Sequence, residues 1–249
     1  MKKKKKKATT HISKAAATAT KAGKPAHLLT YTITYNPLPS KDDKLPRQIK
    51  SQLDDLYKLV HSNPRLAIAE LLQLKEAYPE VPLIYNYLAS AYGQTGNRKA
   101  SRDIIIENYA KNPDYLFAKI NYAQVCLLDG EPSKIPEIFE GKFDLKLLYP
   151  NRSIFHVDEF AGFSGVMCAY YSLIGQRETA ELLFKALKEV APDSNMVRFA
   201  KSYLEPSLFD RIRRWGTNES QRVDAKIAQE LAKQLEEHLR KDGTSNFEA

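Results

Sequence analysis

PLIYNYLASAYGQTGNRKASRDIIIENYAKNPDY, residues 82–115, decides the fold of this chain. Its first half places Leu83, Tyr87, Leu88, Ala91 and Tyr92 at helical spacing. Gly96-Asn97 then breaks the helix, as glycine does cheaply at a helix C-terminus. The second half resumes the period with Ala100, Ile104, Ile105 and Tyr109, and Asn112-Pro113 stops it. The stretch predicts a helical hairpin. Ala89 on its first helix and Ser101 on its second are small, which lets two backbones approach closely.

The same punctuation recurs at a fixed interval. Gly96 and Gly130 are 34 residues apart, as are Pro79 and Pro113. Gly96 to Pro113 is 17 residues, and Gly175 to Pro192 is again 17. A period of this size predicts an array of helix pairs, each burying its apolar face on its neighbours.

On Tyr85, Leu88, Ala89, Tyr92, Gly96, Ser101, Ile105 and Pro113 the chain resembles the tetratricopeptide repeat (TPR) family. A second copy runs from about Ala161 to Ser194 through Cys168, Tyr171, Gly175, Ala180, Phe184 and Pro192. An earlier copy ends in Ala67, Leu71, Leu74 and Pro79, and its second helix opens with Asn63-Pro64, a cap and a first-turn proline. A fourth begins at Tyr115, keeps Tyr122, Ala123 and Gly130, then degenerates; Gly130 to Gly175 is 45 residues, one period plus 11. The resemblance covers roughly two-thirds of the chain. It implies an all-α fold of about four helical hairpins in a right-handed superhelix over residues 45–204, with an insert at about 142–160.

The family lines its concave face with the first helix of each pair. Here that implies Leu83, Asn86, Ser90 and Gln94, then Phe117, Ile120, Asn121, Gln124 and Leu128, then Gly162, Gly165, Ala169 and Leu173. The last set is bare, leaving room for a guest peptide or for the chain's own extended segment; close helix packing is the alternative. Family members that grip a C-terminal carboxylate use Lys and Arg at positions that are Gln52, Asn86, Ile120 and Gly165 here, with Asn121 nearby. None is basic, which argues against that kind of capture.

Charge divides the chain. Residues 1–50 hold 13 Lys/Arg and 2 Asp/Glu, whereas the remainder holds 25 and 28. The basicity sits in Lys2, Lys3, Lys4, Lys5, Lys6 and Lys7, then Lys14, Lys21 and Lys24, in a stretch with few large apolar residues that reads as disordered. It lacks the apolar run of a secretory signal and the arginines of a transit peptide. Such a tail is either a solubilising face or an anchor for nucleic acid, a ribosome or an anionic membrane. Within the tail segment 1–44, residues 28–39 alternate Leu29, Tyr31, Ile33 and Tyr35 with threonines, a strand pattern with no visible partner. It reads as lying extended along the array or pairing between chains, the first favoured because an unpaired edge strand invites aggregation.

Phe160 to Gln176 carries no charge but is shorter than a membrane span, and reads as a buried helix. The insert residues 143–160 are dense in large apolar side chains and read as a core plug. Residues 205–249 predict amphipathic capping helices. SLFDRIRRW (207–215) sets Leu208, Ile212 and Trp215 among Arg211, Arg213 and Arg214, a helix that docks on the array or meets a partner or membrane. Val223, Ile227, Leu231, Leu235 and Leu239 follow at spacing four, favouring a cap over a coiled coil.

Chemistry is not legible. The five histidines are scattered, and His156-x-Asp158-Glu159 reads as a helix start capped by Asp158. Cys126 and Cys168 read as buried free thiols. Phosphate loops, dinucleotide fingerprints and paired-cysteine zinc spacings are missing, and Gly162-Phe163-Ser164-Gly165 has no strand–helix context for a nucleophile. The expectation is a cytoplasmic, non-enzymatic scaffold without cofactor or metal, a monomer or weak homodimer, that binds a protein or peptide partner. The alternative is a protein anchored on nucleic acid or membrane by its tail.

Overall fold

Asn63 ends one helix and starts the next. Its side chain accepts a hydrogen bond from the Leu66 N–H at 3.3 Å, and Pro64 opens the new helix where its missing N–H costs nothing. This joins α1 (Arg47–Ser62) to α2 (Pro64–Ala77). Asn97 does the same for α3 (Pro82–Gln94) and α4 (Arg98–Lys111), accepting from the Ala100 N–H at 3.1 Å. The computed structural model describes residues 10–14, 29–39 and 45–206. The chain divides into residues 1–204 and 205–249, and every element named here belongs to the first unit.

The order continues with α5 (Leu116–Leu128), a short 3-10 turn, α6 (Ile135–Ile138), α7 (Leu145–Leu148), α8 (Val157–Leu173), α9 (Arg177–Val190) and α10 (Asn195–Leu204). The fold is mostly helical. Three of its turns are copies of one another. Gly96, Gly130 and Gly175 have φ of +79°, +79° and +81°. The residue after each glycine donates its N–H back to the helix before it: Asn97 to Tyr92 O at 2.9 Å, Glu131 to Cys126 O at 2.8 Å and Gln176 to Tyr171 O at 2.9 Å. This closes the helix with a left-handed residue that only glycine adopts without strain.

Small residues bring the helices of a pair together. Ser101 Oγ donates to Ala89 O at 2.8 Å across α3 and α4, and Cys168 Sγ to Ala180 O at 3.3 Å across α8 and α9. Both cysteines are buried free thiols. Helices α1–α4 close around Leu53, Leu56, Leu71, Ile84, Tyr85 and Leu88. Helix α4 packs on α5, α5 on α8, and α8 on both α9 and α10. Residues 160–170 of α8 are all buried, and among the described residues no helix is long and apolar enough to cross a membrane.

The structure corrects the reading of the N-terminal region. The strand pattern at 28–39 has partners on both sides. Strand β2 (Leu29–Thr34) pairs antiparallel with β1 (Thr10–Lys14), Thr10 opposite Ile33 and Lys14 opposite Leu29. It pairs in parallel with β3 (Ile154–His156), Thr32 opposite Ile154 and Thr34 opposite His156. Residues 10–14 thus depart from the disordered tail expected there, and Thr10 and Ile12 supply the β-branched residues a strand favours. Strand β3 escaped notice because three residues cannot display an alternation. Tyr31 and Ile33 enter the core beside Phe155, Phe139 and Phe163, so the strand is part of the fold rather than laid over it. The other tail residues, the lysines at 2–7 included, and the stretch 207–249 with Arg211, Arg213 and Arg214 lie outside the described residues.

Candidate binding groove

Three helix starts meet at one groove of about 880 Å³. Pro82 opens α3; Asp114, Tyr115, Leu116 and Phe117 lead into α5; His156, Asp158 and Glu159 begin α8. Pro37, Leu38 and Pro39, shortly after β2, form one wall, and Tyr149, Arg152, Ser153 and Ile154 of the insert form the other. Pro37 and Pro39 lack an N–H, so the chain leaves the sheet without continuing its ladder. Tyr149 donates its hydroxyl to Asp114 O at 3.0 Å, tying the insert to the approach of α5. Burial pushes the Tyr149 phenol well above its ordinary range, the nearby Arg152 opposing this, so it stays a neutral donor. The Tyr115 and Phe117 rings lie 5.7 Å apart.

Arg152 is the most constrained charge here. Its Nη1 meets Glu159 Oε1 at 2.9 Å and its Nη2 meets Glu159 Oε2 at 2.7 Å. Nη2 also donates to Ile154 O at 3.3 Å, and the guanidinium lies over the Phe155 ring at 4.4 Å and the Tyr149 ring at 5.5 Å. Glu159 in turn accepts from the His156 N–H at 2.8 Å. The sequence expectation is corrected at this point: His156, not Asp158, caps α8. Its Nδ1 accepts from the Asp158 N–H at 3.2 Å, and Glu159 completes the reciprocal half of the box. The histidine takes the cap because β3 runs straight into the helix and leaves His156 as the last extended residue. With Arg152 neutralised by Glu159, the carboxylates of the groove without an Arg or Lys partner among the described residues are those of Asp114 and Asp158. Asp158 is 71% exposed in its side chain, 3.3 Å from His156 Nδ1, and Asp114 is exposed with no ion pair among the described residues.

The face predicted to bind is only partly open. Asn86 is tied down: its Oδ1 accepts from Asn108 and Asn121, each at 3.1 Å, and its Nδ2 donates to Tyr115 Oη at 3.4 Å. Asn108, itself buried, also donates to Pro82 O at 3.3 Å and accepts from Asn112 at 3.0 Å. This ladder fastens α3, α4 and α5. Ser90 and Gln94 are exposed and bonded to each other at 3.2 Å, Leu128 is 58% exposed, and Leu83, Phe117 and Gln124 are half-buried. Tyr57 extends this surface onto α1, with its ring 5.7 Å from Tyr87 and 4.7 Å from His61, a cluster the repeat pattern did not mark.

The third set, Gly162, Gly165 and Ala169, is corrected outright. All three are buried, and the room above them is already filled, by Ile120 over Gly162 and by Met196 of α10 over Gly165. Helix α10 was not separated from the repeat pattern, so its claim on that space was invisible. Ile120 and Gly165, two of the positions implied for carboxylate capture, are therefore inaccessible. Lys119, a buried cation on α5, turns away toward the end of α6, donating to Ile138 O at 2.9 Å and Glu140 Oε1 at 3.1 Å. Among the described residues no group of three or more His, Cys, Asp and Glu is placed to hold a metal ion. No protein-family model and no curated protein matches this chain.

Proposed function

We propose that this chain is a non-enzymatic scaffold or adaptor, a TPR-like array of about four hairpins in a right-handed superhelix, that binds a protein or peptide segment. The observation that carries this reading is the groove itself. It has the volume of sites that enclose a ligand of a few residues, its walls are mostly proline, aromatic and aliphatic, and its one arginine is already spoken for. Such a surface rewards apolar contact. Ser90, Gln94 and Leu128, exposed toward the far ends of α3 and α5, are a second surface for the same role. The likeness of the three glycine turns supports the repeat reading.

The test is capture of partners from source-cell extract by the full-length chain and by an Ile154→Asp, Leu128→Asp variant, with nuclease and in high salt. Both side chains are exposed, at 46% and 58%, so their loss leaves the fold alone. Partners that withstand nuclease yet are lost from the variant are the expected result. Equal capture by both proteins removes the groove and face from the binding role.

A second reading rests on charge: 13 Lys/Arg against 2 Asp/Glu in residues 1–50 suits anchoring to nucleic acid, a ribosome or an anionic membrane. Capture that vanishes with salt or nuclease and is equal in the full-length chain and the Ile154→Asp, Leu128→Asp variant favours it.

A further inference from the structure

The groove carries three carboxylates, Asp114, Asp158 and Glu159, against one guanidinium, Arg152. Arg152 and Glu159 cancel through two hydrogen bonds, at 2.9 and 2.7 Å. Among the described residues Asp114 then has no ion pair, and Asp158 has only the His156 ring beside it, Nδ1 at 3.3 Å, at the rim of an apolar, aromatic trough. The rest of the chain beyond residue 50 is slightly acidic as well, with 25 Lys/Arg against 28 Asp/Glu. A partner meets an oily floor between acidic edges.

The backbone at this edge is closed. Strand β3 is the outer strand of a sheet ordered β1-β2-β3. Thr32 donates to Ser153 O at 2.9 Å, so Ile154, opposite Thr32, turns its own polar groups outward. That edge is where an extended peptide would add as a further strand. It is occupied: Arg152 Nη2 bonds Ile154 O at 3.3 Å, and Glu159 takes the His156 N–H at 2.8 Å. One ion pair thus covers the exposed backbone on both sides of Phe155, a device that blunts edge pairing. What lines the groove besides is the Ile154 side chain, 46% exposed, the Phe117 ring, the prolines at 37, 39 and 82, and the exposed carboxylates of Asp114 and Asp158.

We infer that the groove takes an extended segment of a partner protein bearing an aromatic or large aliphatic side chain flanked by Lys or Arg, held by its side chains and not as an added strand. This rests on the reading of the chain as a peptide-binding adaptor. The apolar anchor lies on the proline and aromatic walls, and the flanking cations face Asp114 and Asp158. The guanidinium of a flanking arginine also stacks on an aromatic face, a second reason for basic flanks.

The test is selection of a random phage-displayed peptide library on immobilised full-length protein, followed by titration of the leading peptide in synthetic form. The expected peptides place Lys or Arg beside an aromatic or aliphatic residue. Their binding weakens with added salt and falls about tenfold in an Asp114→Lys, Asp158→Lys variant. The same charge change made elsewhere, Asp54→Lys with Glu76→Lys, leaves it nearly unchanged. Both pairs of residues are exposed, so neither variant threatens the fold. Enrichment of neutral or acidic peptides, indifferent to the change at Asp114 and Asp158, overturns the inference while leaving an adaptor that binds peptides. No enrichment of any peptide overturns the inference and the adaptor reading together.

Discussion

Ile120 stands where Gly162 would carry a side chain: a Cβ built on Gly162 lies 2.9 Å from Ile120 Cδ1 and 3.3 Å from its Cγ2. The absence of that one carbon lets α5 and α8 come together, and it ends the open face at α5. Gly165 repeats the device three residues on. There a Cβ would meet Met196 Cε at 2.6 Å, Met196 Cβ at 3.0 Å and the Met196 carbonyl at 3.4 Å.

The two glycines respond differently to alanine. Replacing a mid-helix glycine gains about 0.5–1 kcal/mol in backbone entropy, whereas overpacking costs about 1–3 kcal/mol. At Gly162 the obstacle is the tip of an isoleucine, which swings aside, so Gly162→Ala is expected to be close to neutral. At Gly165 the Cβ and carbonyl of Met196 cannot swing, so Gly165→Ala is expected to lose about 1–2 kcal/mol. Urea midpoints with unchanged slopes measure both. Equal effects at the two sites contradict the packing described here.

Ile33 tests whether the N-terminal strand belongs to the fold. It is fully buried beside Tyr31 and Phe155. Ile33→Ala is expected to cost about 2–4 kcal/mol, as for other buried large-to-small changes. A loss below about 0.5 kcal/mol, the scale of an ordinary surface change, means the strand merely rests on the helices.

Much of the helical part was legible because its signals are local. A glycine at a left-handed turn, an asparagine cap and a proline after a helix each act within a few residues, and Asn63, Asn97, Gly96, Gly130 and Gly175 stand in the structure where their types predict. The groove was hidden because it is made at a distance. Pro37–Pro39, Asp114–Phe117 and Tyr149–Glu159 are far apart in sequence, and none has a period. The two-residue alternation of Tyr31 and Ile33 gave the strand, but its partner β3 is three residues long and sits inside an insert read as core filling. Asn86 was read as a binding residue because it lies on the right helix; its engagement by Asn108 and Asn121 is a tertiary fact.

Arg152 is expected to resist even conservative exchange. Its guanidinium serves two Glu159 oxygens and the Ile154 carbonyl at once, a fork that an ammonium cannot reproduce. Arg152→Lys is expected to lose about 1–2 kcal/mol in chemical denaturation. Stability equal to wild type places the pair outside the fold's essential contacts.

Acid is expected to weaken the link between α2 and α4. Burial opposes the charge of Glu107, but hydrogen bonds from Lys75 and Lys111 outweigh it and hold its pKa below the ordinary 4.5. Glu140 is lowered likewise, by Lys142 and then by Lys119. A carboxylate lowered in the folded state contributes stability that is present above its unfolded pKa and lost as pH falls through the folded one. Stability is therefore expected to fall below pH ~4.5. Glu107→Gln should be less stable than wild type at neutral pH, and the gap should close in acid. A gap that stays constant from neutral pH down to about pH 3 contradicts this origin.

The most direct measurement is site-specific photo-crosslinking of a bound partner segment. A photoreactive phenylalanine analogue is placed in the full-length chain at position 154, in the groove, or at position 182, where Leu182 is 61% exposed on α9. Each protein is irradiated with a selected peptide and with partner captured from extract. Crosslinking from position 154 and none from position 182 is the result expected of a partner seated between Asp114–Phe117 and Ile154–Glu159. Crosslinking from position 182 alone, or equally from both, contradicts it.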